Sequence, residues 1–469
     1  MSSALAWSIL HAFNWLVLAY FIAVNSVYLL TSIFAFRGLT RYARRLKALD
    51  AAQVLTGDIA PPVTLLAPAY NEEQTCVDSV RALLTLIYPD YEIMVINDGS
   101  QDGTLARLQE AYALQPAARL PTAALPAQAV RGIYRSARYP QLWVIDKENG
   151  GKADALNVGV SFCRTPLFCA LDADTLLERE SLLRIVRPFV EDTRVVATGG
   201  IIRIVNGCTV RDGLVRQVGL PRSWLARFQV MEYLRAFLAG RMGWDAVNAT
   251  FIISGAFGVF RRDVVVCAGG YTRDTVGEDV ELVVRLHRYC REQQVPYRIG
   301  FVPDPVAWTE CPEKFAVLRR QRDRWQRGLT ETLARHRRML FNPRYGGIGL
   351  IAFPYFYFLE MLGPVIEFLG YVVFAASVAG GIVTPHYALA FFMVAFVLGA
   401  VLSLAAVGLE ELTLRRYQRL RDVVLLFALA LVENFGYRQL INFWRLQGIV
   451  SALLRRKGWG RMTRRGFGT

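Results

Sequence analysis

Leu167-Phe168-Cys169-Ala170-Leu171-Asp172-Ala173-Asp174-Thr175 is the stretch on which the reading of the fold turns. Five apolar residues in a row suit a strand buried on both faces, as in a parallel sheet covered by helices. The run stops at two carboxylates, and residues two apart on an extended chain leave the same face, so Asp172 and Asp174 point together. Two hard carboxylates with Thr175 beside them suit Mg2+ or Mn2+ shared with a diphosphate. A bare Asp-x-Asp is more often a loop or a helix cap. Its place at the end of an apolar strand gives it weight.

The same design recurs outward from this point. Val63-Thr-Leu-Leu-Ala-Pro68 ends at Ala69-Tyr70-Asn71-Glu72-Glu73 and leads into a predicted helix over about 74–87. Tyr91-Glu-Ile-Met-Val-Ile96 ends at Asn97-Asp98-Gly99-Ser100, and Leu142-Trp-Val-Ile145 runs on to Asn149-Gly-Gly-Lys152 and a helix. Across residues 61–330 apolar strand-like runs alternate with amphipathic helical ones, which predicts an α/β domain on a mostly parallel sheet. The polar motifs fall at the carboxyl ends of successive strands, the edge at which open α/β sheets bind ligands. There Asp98 can accept hydrogen bonds from a nucleotide base or ribose, with Pro68, Tyr70 and Glu72 completing the pocket. A turn acid also commonly just closes an Asx turn. Lys152, after two glycines, can bring its amine and nearby backbone amides to phosphate. Gln115 to Gln141, rich in Pro, Ala and Arg, reads as a surface loop.

Three further groups extend the pattern. Glu278-Asp279 opens a helix after Gly277, where acidic residues also simply counter the helix dipole. Asp279 is the better candidate for a general base taking a proton from a sugar hydroxyl. A base and a metal-held leaving group on opposite sides of the reacting carbon would give in-line displacement and an inverted, β-linked product. Gln321, Arg324 and Trp325 stand at i, i+3 and i+4 and share one helical face. Arg324 can engage phosphate and Trp325 can stack on a sugar ring, while Arg319, Arg320, Arg322 and Arg327 read as flanking charge. Ser254-Gly255-Ala256, small and flexible, can form a wall where an acceptor approaches closely.

At 469 residues, 54% apolar, the chain is too hydrophobic for a purely soluble protein. No Asp, Glu, Lys or Arg precedes Arg37, a stretch longer than the ~20 apolar residues that span a bilayer. It lacks a basic start and a small-residue cleavage site and reads as an uncleaved helix. Arg37, Arg41, Arg44, Arg45 and Lys47 follow, which sets the N-terminus outside and the next residues in the cytosol. A second uncharged block, Phe368 to Leu409, is broken near Gly380 and Pro385 and predicts two crossings. The basic loop Arg415 to Arg421 fits that parity. A third apolar segment, about 423–453, contains Glu433, Arg438 and Arg445, so spanning, re-entry and surface association stay open. Arg222 to Phe237 reads equally as a membrane-surface helix or a helix on the sheet. The net charge of +15 crowds beside these segments, where anionic lipid attracts it, which argues against nucleic acid as a partner. The seven cysteines show no metal spacing and fit a reducing compartment.

The chain thus divides into a transmembrane helix (1–36), a basic cytosolic linker (37–60), a catalytic domain (61–330), interface helices (331–363), membrane helices (364–453) and a basic tail (454–469). Taken together the motifs resemble those of membrane-embedded family-2 glycosyltransferases: poly-N-acetylglucosamine, hyaluronan, chitin-oligosaccharide and cellulose synthases. Asn149-Gly-Gly-Lys-Ala-Asp-Ala-Leu-Asn157 and Ser254-Gly-Ala-Phe-Gly are most similar to the poly-N-acetylglucosamine synthases. The resemblance implies a GT-A fold, a UDP-sugar donor with Mg2+ or Mn2+, and a multi-pass protein of the inner (plasma) membrane whose catalytic domain is cytoplasmic. It implies uridine held by Asp98 and residues 68–72, diphosphate held by Lys152, Gln321 and Arg324, and metal held by Asp174 with Asp172. Asp279 would then be the base, with Trp325, Ser254, Gly255 and Glu278 toward the acceptor. The family's usual Thr-Glu-Asp reads Gly277-Glu278-Asp279 here. The acceptor is a growing polysaccharide or a lipid, and the sugar is N-acetylglucosamine or glucose. A single N-terminal helix, against two or more in many relatives, leaves a partner subunit or a second copy as ways to complete a channel.

Overall fold

A computed structural model of the chain describes residues 3–48, 60–211 and 213–455, so residues 49–59 of the expected linker and 456–469 of the basic tail lie outside the described residues. Twelve strands form among the described residues: β1 Val63–Ala69, β2 Tyr91–Asp98, β3 Leu114–Pro116, β4 Val130–Ser136, β5 Leu142–Lys147, β6 Leu167–Leu171, β7 Leu176–Leu177, β8 Val195–Ile204, β9 Thr209–Arg211, β10 Leu214–Gln217, β11 Phe257–Arg261 and β12 Arg298–Thr309. Ten of them make one sheet in the order β3-β4-β5-β2-β1-β6-β11-β8-β12-β7. β5, β2, β1 and β6 are parallel neighbours, so their carboxyl ends form one edge. β11 is inserted antiparallel between β6 and β8. Its first residue, Phe257, pairs with Leu171, the last of β6. That reversal brings Ser254 and Gly255 to the same edge as Asp172 and Asp174.

The four strands read from the sequence form where expected. Their side chains are almost wholly buried because helices cover both faces. The helix Lys152–Phe162 packs on β1 and β2, and Ser181–Glu191 on β8 and β12. The segment 115–141 departs from expectation, because Val130–Ser136 is a strand paired antiparallel with β5. Arg119 in the preceding loop is only 5% exposed. It forks onto Glu92 at 2.7 and 2.9 Å and stacks on Trp143. The contacts that order this segment are with residues distant in sequence, and its own polar composition conceals them.

The N-terminal helix runs unbroken from Ser3 to Ala48, past the boundary set at residue 36, since Arg and Lys favour helix and continue it. Among the described residues two helices are long and apolar enough to cross a membrane, Ser8–Arg44 and Pro385–Thr413, and up to four if each of two bent pairs is one span. One pair, Ile348–Met361 with Gly363–Ala379, bends by 42°, so the predicted interface segment 331–363 joins the first membrane helix of the C-terminal group. The other, Leu420–Val432 with Tyr437–Leu453, bends by 62° at Glu433 to Gly436, where Gly436 takes a positive φ of 96° that a side chain would resist. Tyr437–Leu453 then lies along the helix Phe315–Arg335. The Trp224–Tyr233 helix, with its continuation to Asp245, is wedged between β8 and the helices Ser3–Ala48 and Leu398–Thr413. It touches sheet and membrane-type helices alike.

Candidate active site

A cavity of about 570 Å3 starts at the carboxyl edge of β6. Its walls there include Lys152, Asp172, Asp174, Ser254, Gly255, Glu278 and Asp279, together with Gln321, Arg324 and Trp325. Five segments far apart in sequence thus meet at one hollow. The helix Glu278–Glu292 supplies Asp279 in its first turn. The helix Phe315–Arg335 crosses it so tightly that a Cβ on Gly277 would stand 2.9 Å from the Gly328 Cα. That contact explains the glycine before Glu278: this crossing leaves no room for a side chain.

Asp279 is held at both oxygens, Oδ2 accepting from the Gly255 N–H at 2.9 Å and Oδ1 from the Val280 N–H at 2.8 Å. Its neighbour Glu278 is 5% exposed. Burial drives the Glu278 carboxyl pKa up, Lys152 opposes the rise, and Asp279 adds to it. Lys152 Nζ donates to Asp172 Oδ1 and to the Gly255 carbonyl at 3.3 Å, and lies 3.4 Å from Glu278. Burial works against its charge, but Asp172 and Glu278 outweigh burial and raise its pKa. Lys152 thus links the paired aspartates to the Glu278-Asp279 turn.

Among the described residues no third His, Cys, Asp or Glu joins Asp172 and Asp174 in a ligand cluster. Two carboxylates facing an open cavity fit an ion that keeps several waters and takes its remaining oxygens from a diphosphate, as Mg2+ commonly does.

At the neighbouring strand ends the chain is laced together. The Asn71 N–H donates to Ser100 Oγ and the Gln101 N–H to Asn71 Oδ1, at 2.9 and 2.8 Å. The Glu72 N–H donates to Thr104 Oγ1 at 2.9 Å, and Glu72 Oε2 accepts from the Thr75 hydroxyl at 2.6 Å. Pro68 lies in β1 beside Ile96, and Tyr70 is 47% exposed. These three expected nucleotide residues flank the cavity and do not line it. Asp98 sits differently from expectation. It is 3% exposed, and its oxygens accept from Lys147 Nζ, the Gly150 and Gly151 N–H groups and Asn149 Nδ2, at 2.5, 3.0, 2.8 and 3.2 Å. In this arrangement it orders the turn that delivers Lys152.

Arg322, set aside above as flanking charge, is 2% exposed. Its guanidinium lies 4.2 Å from the Trp325 ring centre and donates to Glu232 at 2.7 Å and to Gln321 at 3.3 Å. The Tyr437 hydroxyl donates to the same Glu232 oxygen at 2.9 Å. Arg322 therefore fixes the two side chains that the sequence did single out. No sequence signal marked it, because its anchors are 90 or more residues away.

The cavity continues between the apolar helices, where Tyr28, Glu360, Glu367, Arg438, Asn442 and Arg445 line it. Glu360 accepts from Tyr28, Tyr355 and Arg445 at 2.8, 2.8 and 2.9 Å. Of the three charges noted in the last apolar segment, Arg438 and Arg445 line the cavity, whereas Glu433 is buried beside it, accepting from Ser403 and lying 3.8 Å from Arg235.

Residues 61–328, more than half of the chain, match the family described as glycosyltransferase like family 2. The chain belongs to that family. Two relatives are the poly-beta-1,6-N-acetyl-D-glucosamine synthases of Staphylococcus aureus (strain COL) and Staphylococcus epidermidis. The first is 29% identical over 274 residues, covering 58% of this chain and 56% of its own. The second is 26% identical over 328 residues, covering 70% and 67%. This family-2 glycosyltransferase therefore spans little more than half the length of the first. Among solved structures it is similar to the mannosyltransferase PcManGT of Pyrobaculum calidifontis in complex with GDP-Man and Mn2+. That likeness has a TM-score of 0.50 and 20% identity, over 88% of this chain and 99% of the other. The fold is GT-A.

Proposed function

We propose that this chain is an inverting, UDP-sugar-dependent glycosyltransferase that extends a β-linked polysaccharide at a membrane, with N-acetylglucosamine as the sugar. One observation carries the reading: the hollow that gathers Lys152, Asp172, Asp174, Asp279, Arg324 and Trp325 runs on, lined by polar side chains, between helices apolar enough to sit in lipid. Polar and charged groups at membrane depth are costly and usually mark a path.

In this reading Asp279 takes the proton from the attacking acceptor hydroxyl. Its orientation is set by the Gly255 and Val280 N–H groups before substrate arrives. Lys152 and Arg324 neutralise the diphosphate as it leaves. Asp174 with Asp172 would hold Mg2+ or Mn2+, which supplies further charge neutralisation on the nucleotide. Trp325, clamped by Arg322, stacks on the acceptor sugar. Asp98, together with Pro68, Tyr70 and Glu72, shapes the uridine end, Asp98 through the turn it orders. Ser254 and Gly255 form the wall against which the acceptor end rests.

The synthase relatives support N-acetylglucosamine as the sugar and a polymer as the product. The test is to incubate the purified full-length protein in lipid nanodiscs with a panel of labelled UDP-sugars and Mg2+ or Mn2+. UDP release and product length are then measured. UDP-N-acetylglucosamine is expected to give a ladder of long products. A single short glycolipid would replace extension with one-step transfer, and preferred turnover of UDP-glucose would replace the sugar.

A further inference from the structure

Arg241 has no part in the roles described so far. It opens the short helix Arg241–Asp245 on the cavity wall and is 9% exposed. Its guanidinium lies 3.9 Å from the Phe237 ring centre, and no hydrogen bond or ion pair joins it to any described residue. The buried Nη1 is left without an acceptor. A guanidinium keeps its proton at neutral pH and offers five N–H donors. Burial lowers its pKa to about 9, with Asp279 the main charge opposing that change.

A buried charge with no partner works against folding unless something returns the lost hydration. Such breaches of the rule that buried polar groups are satisfied concentrate where a ligand completes the set. The missing partner must enter through the cavity. Asp279 is the carboxylate that acts most strongly on Arg241, and both line the same cavity. Arg241 therefore shares the hollow with the base.

The geometry points to Arg241 as an acceptor-site residue whose guanidinium hydrogen-bonds an oxygen, a hydroxyl or an N-acyl carbonyl, of the terminal sugar that Asp279 deprotonates. This rests on the reading of Asp279 as the base. It predicts a separation that a structural arginine would not produce. Arg241→Met deletes an unpaired buried charge, so the protein should unfold at the same temperature as wild type or higher, while acceptor use collapses.

The experiment uses full-length wild type, Arg241→Met and Arg241→Lys in nanodiscs. UDP-N-acetylglucosamine is supplied with and without an added β-linked N-acetylglucosamine oligosaccharide. UDP release to water, transfer to the oligosaccharide and the thermal midpoint are recorded. In Arg241→Met, kcat/KM for the oligosaccharide should fall roughly ten- to a hundred-fold, as expected for a lost charged hydrogen bond. The donor KM should stay within about twofold. Arg241→Lys, which keeps the charge but not the fork, should fall between the two. Undiminished acceptor use, a donor KM that rises in step, or a lower midpoint in Arg241→Met would each overturn the assignment. A wild type that releases no UDP from any UDP-sugar would instead remove the proposed function, and this assignment with it.

Discussion

The Gly255 N–H donates to Asp279 Oδ2 at 2.9 Å, and a Cβ on Gly255 would stand 2.7 Å from Lys152 Nζ and 3.4 Å from that same oxygen. One backbone position thus orients the carboxylate and leaves room for the amine that bridges to Asp172. Gly255→Ala would push only the far end of a flexible lysine, so the fold should survive with a thermal midpoint close to wild type. Activity should not. Displacing a positioned group by about 1 Å can cost on the order of a hundredfold, and kcat is expected to drop by at least about tenfold. A kcat within twofold of wild type would show that Lys152 need not hold its place.

Asp279→Asn removes the base while keeping the size of the side chain and one acceptor oxygen for the Gly255 N–H. General-base catalysis contributes ~10^2 to 10^4-fold, so sugar transfer should fall by that order. UDP affinity, measured by calorimetry, should change little, because Lys152, Asp172 and Arg324 are untouched. Full synthesis by the Asn variant would move the base to another residue, with Glu278 the first to examine.

Much of this site was legible because several of its motifs follow an apolar run, and the end of a buried strand is where an α/β sheet presents its chemistry. Asp172, Asp174 and Lys152 meet at the cavity as that logic requires, and the Gln321–Trp325 face, readable from its helical spacing, joins them there. The direction of β11 was not legible, since a short apolar strand reads the same both ways. β4 escaped because Arg131, Gly132 and Arg135 interrupt its apolar residues near the sheet's edge. For Asp98 the position was readable but the orientation was not: which donors fill a carboxylate depends on Lys147 and the turn at residues 149–151, which only the folded chain brings near. Arg241 and Arg322 looked like any basic residue beside a membrane segment. Their burial is a tertiary fact.

The catalytic domain is tied to the apolar helices by a buried ion pair, Arg203 to Glu410, at 2.6 Å with 3% and 0% side-chain exposure. Arg203 belongs to β8, and Glu410 to the helix Leu398–Thr413. Removing one member of such a pair strands the other, typically at about 3–5 kcal/mol. Glu410→Ala should therefore lower the thermal midpoint markedly. Replacing both residues, as Arg203→Met with Glu410→Leu, should recover most of the loss, because two apolar groups leave no orphan charge. A double variant as unstable as Glu410→Ala would mean that packing, not charge, sets the cost.

His287 gives a pH dependence whose sign follows from its surroundings. It is fully buried in the helix Glu278–Glu292, with Nδ1 2.9 Å from the Tyr297 hydroxyl and Nε2 2.9 Å from the Thr250 carbonyl. Nε2 therefore carries the proton donated to Thr250, and Nδ1 accepts from Tyr297. Burial pushes the pKa down to about 4, the Thr250 hydrogen bond works against that fall, and Arg291 adds to it. The unfolded chain takes up a proton near the ordinary value of about 6.5, whereas the folded chain resists it down to about 4. Stability contributed by neutral His287 is thus complete above that ordinary value and is lost as pH falls toward 4, by about 3 kcal/mol. Thermal midpoints between pH 7.5 and 4.5 should decline more steeply for wild type than for His287→Gln, which keeps a donor and an acceptor but cannot titrate. The Gln variant should begin somewhat less stable at pH 7.5 and lose less on acidification. Parallel declines would place the acid sensitivity in other groups.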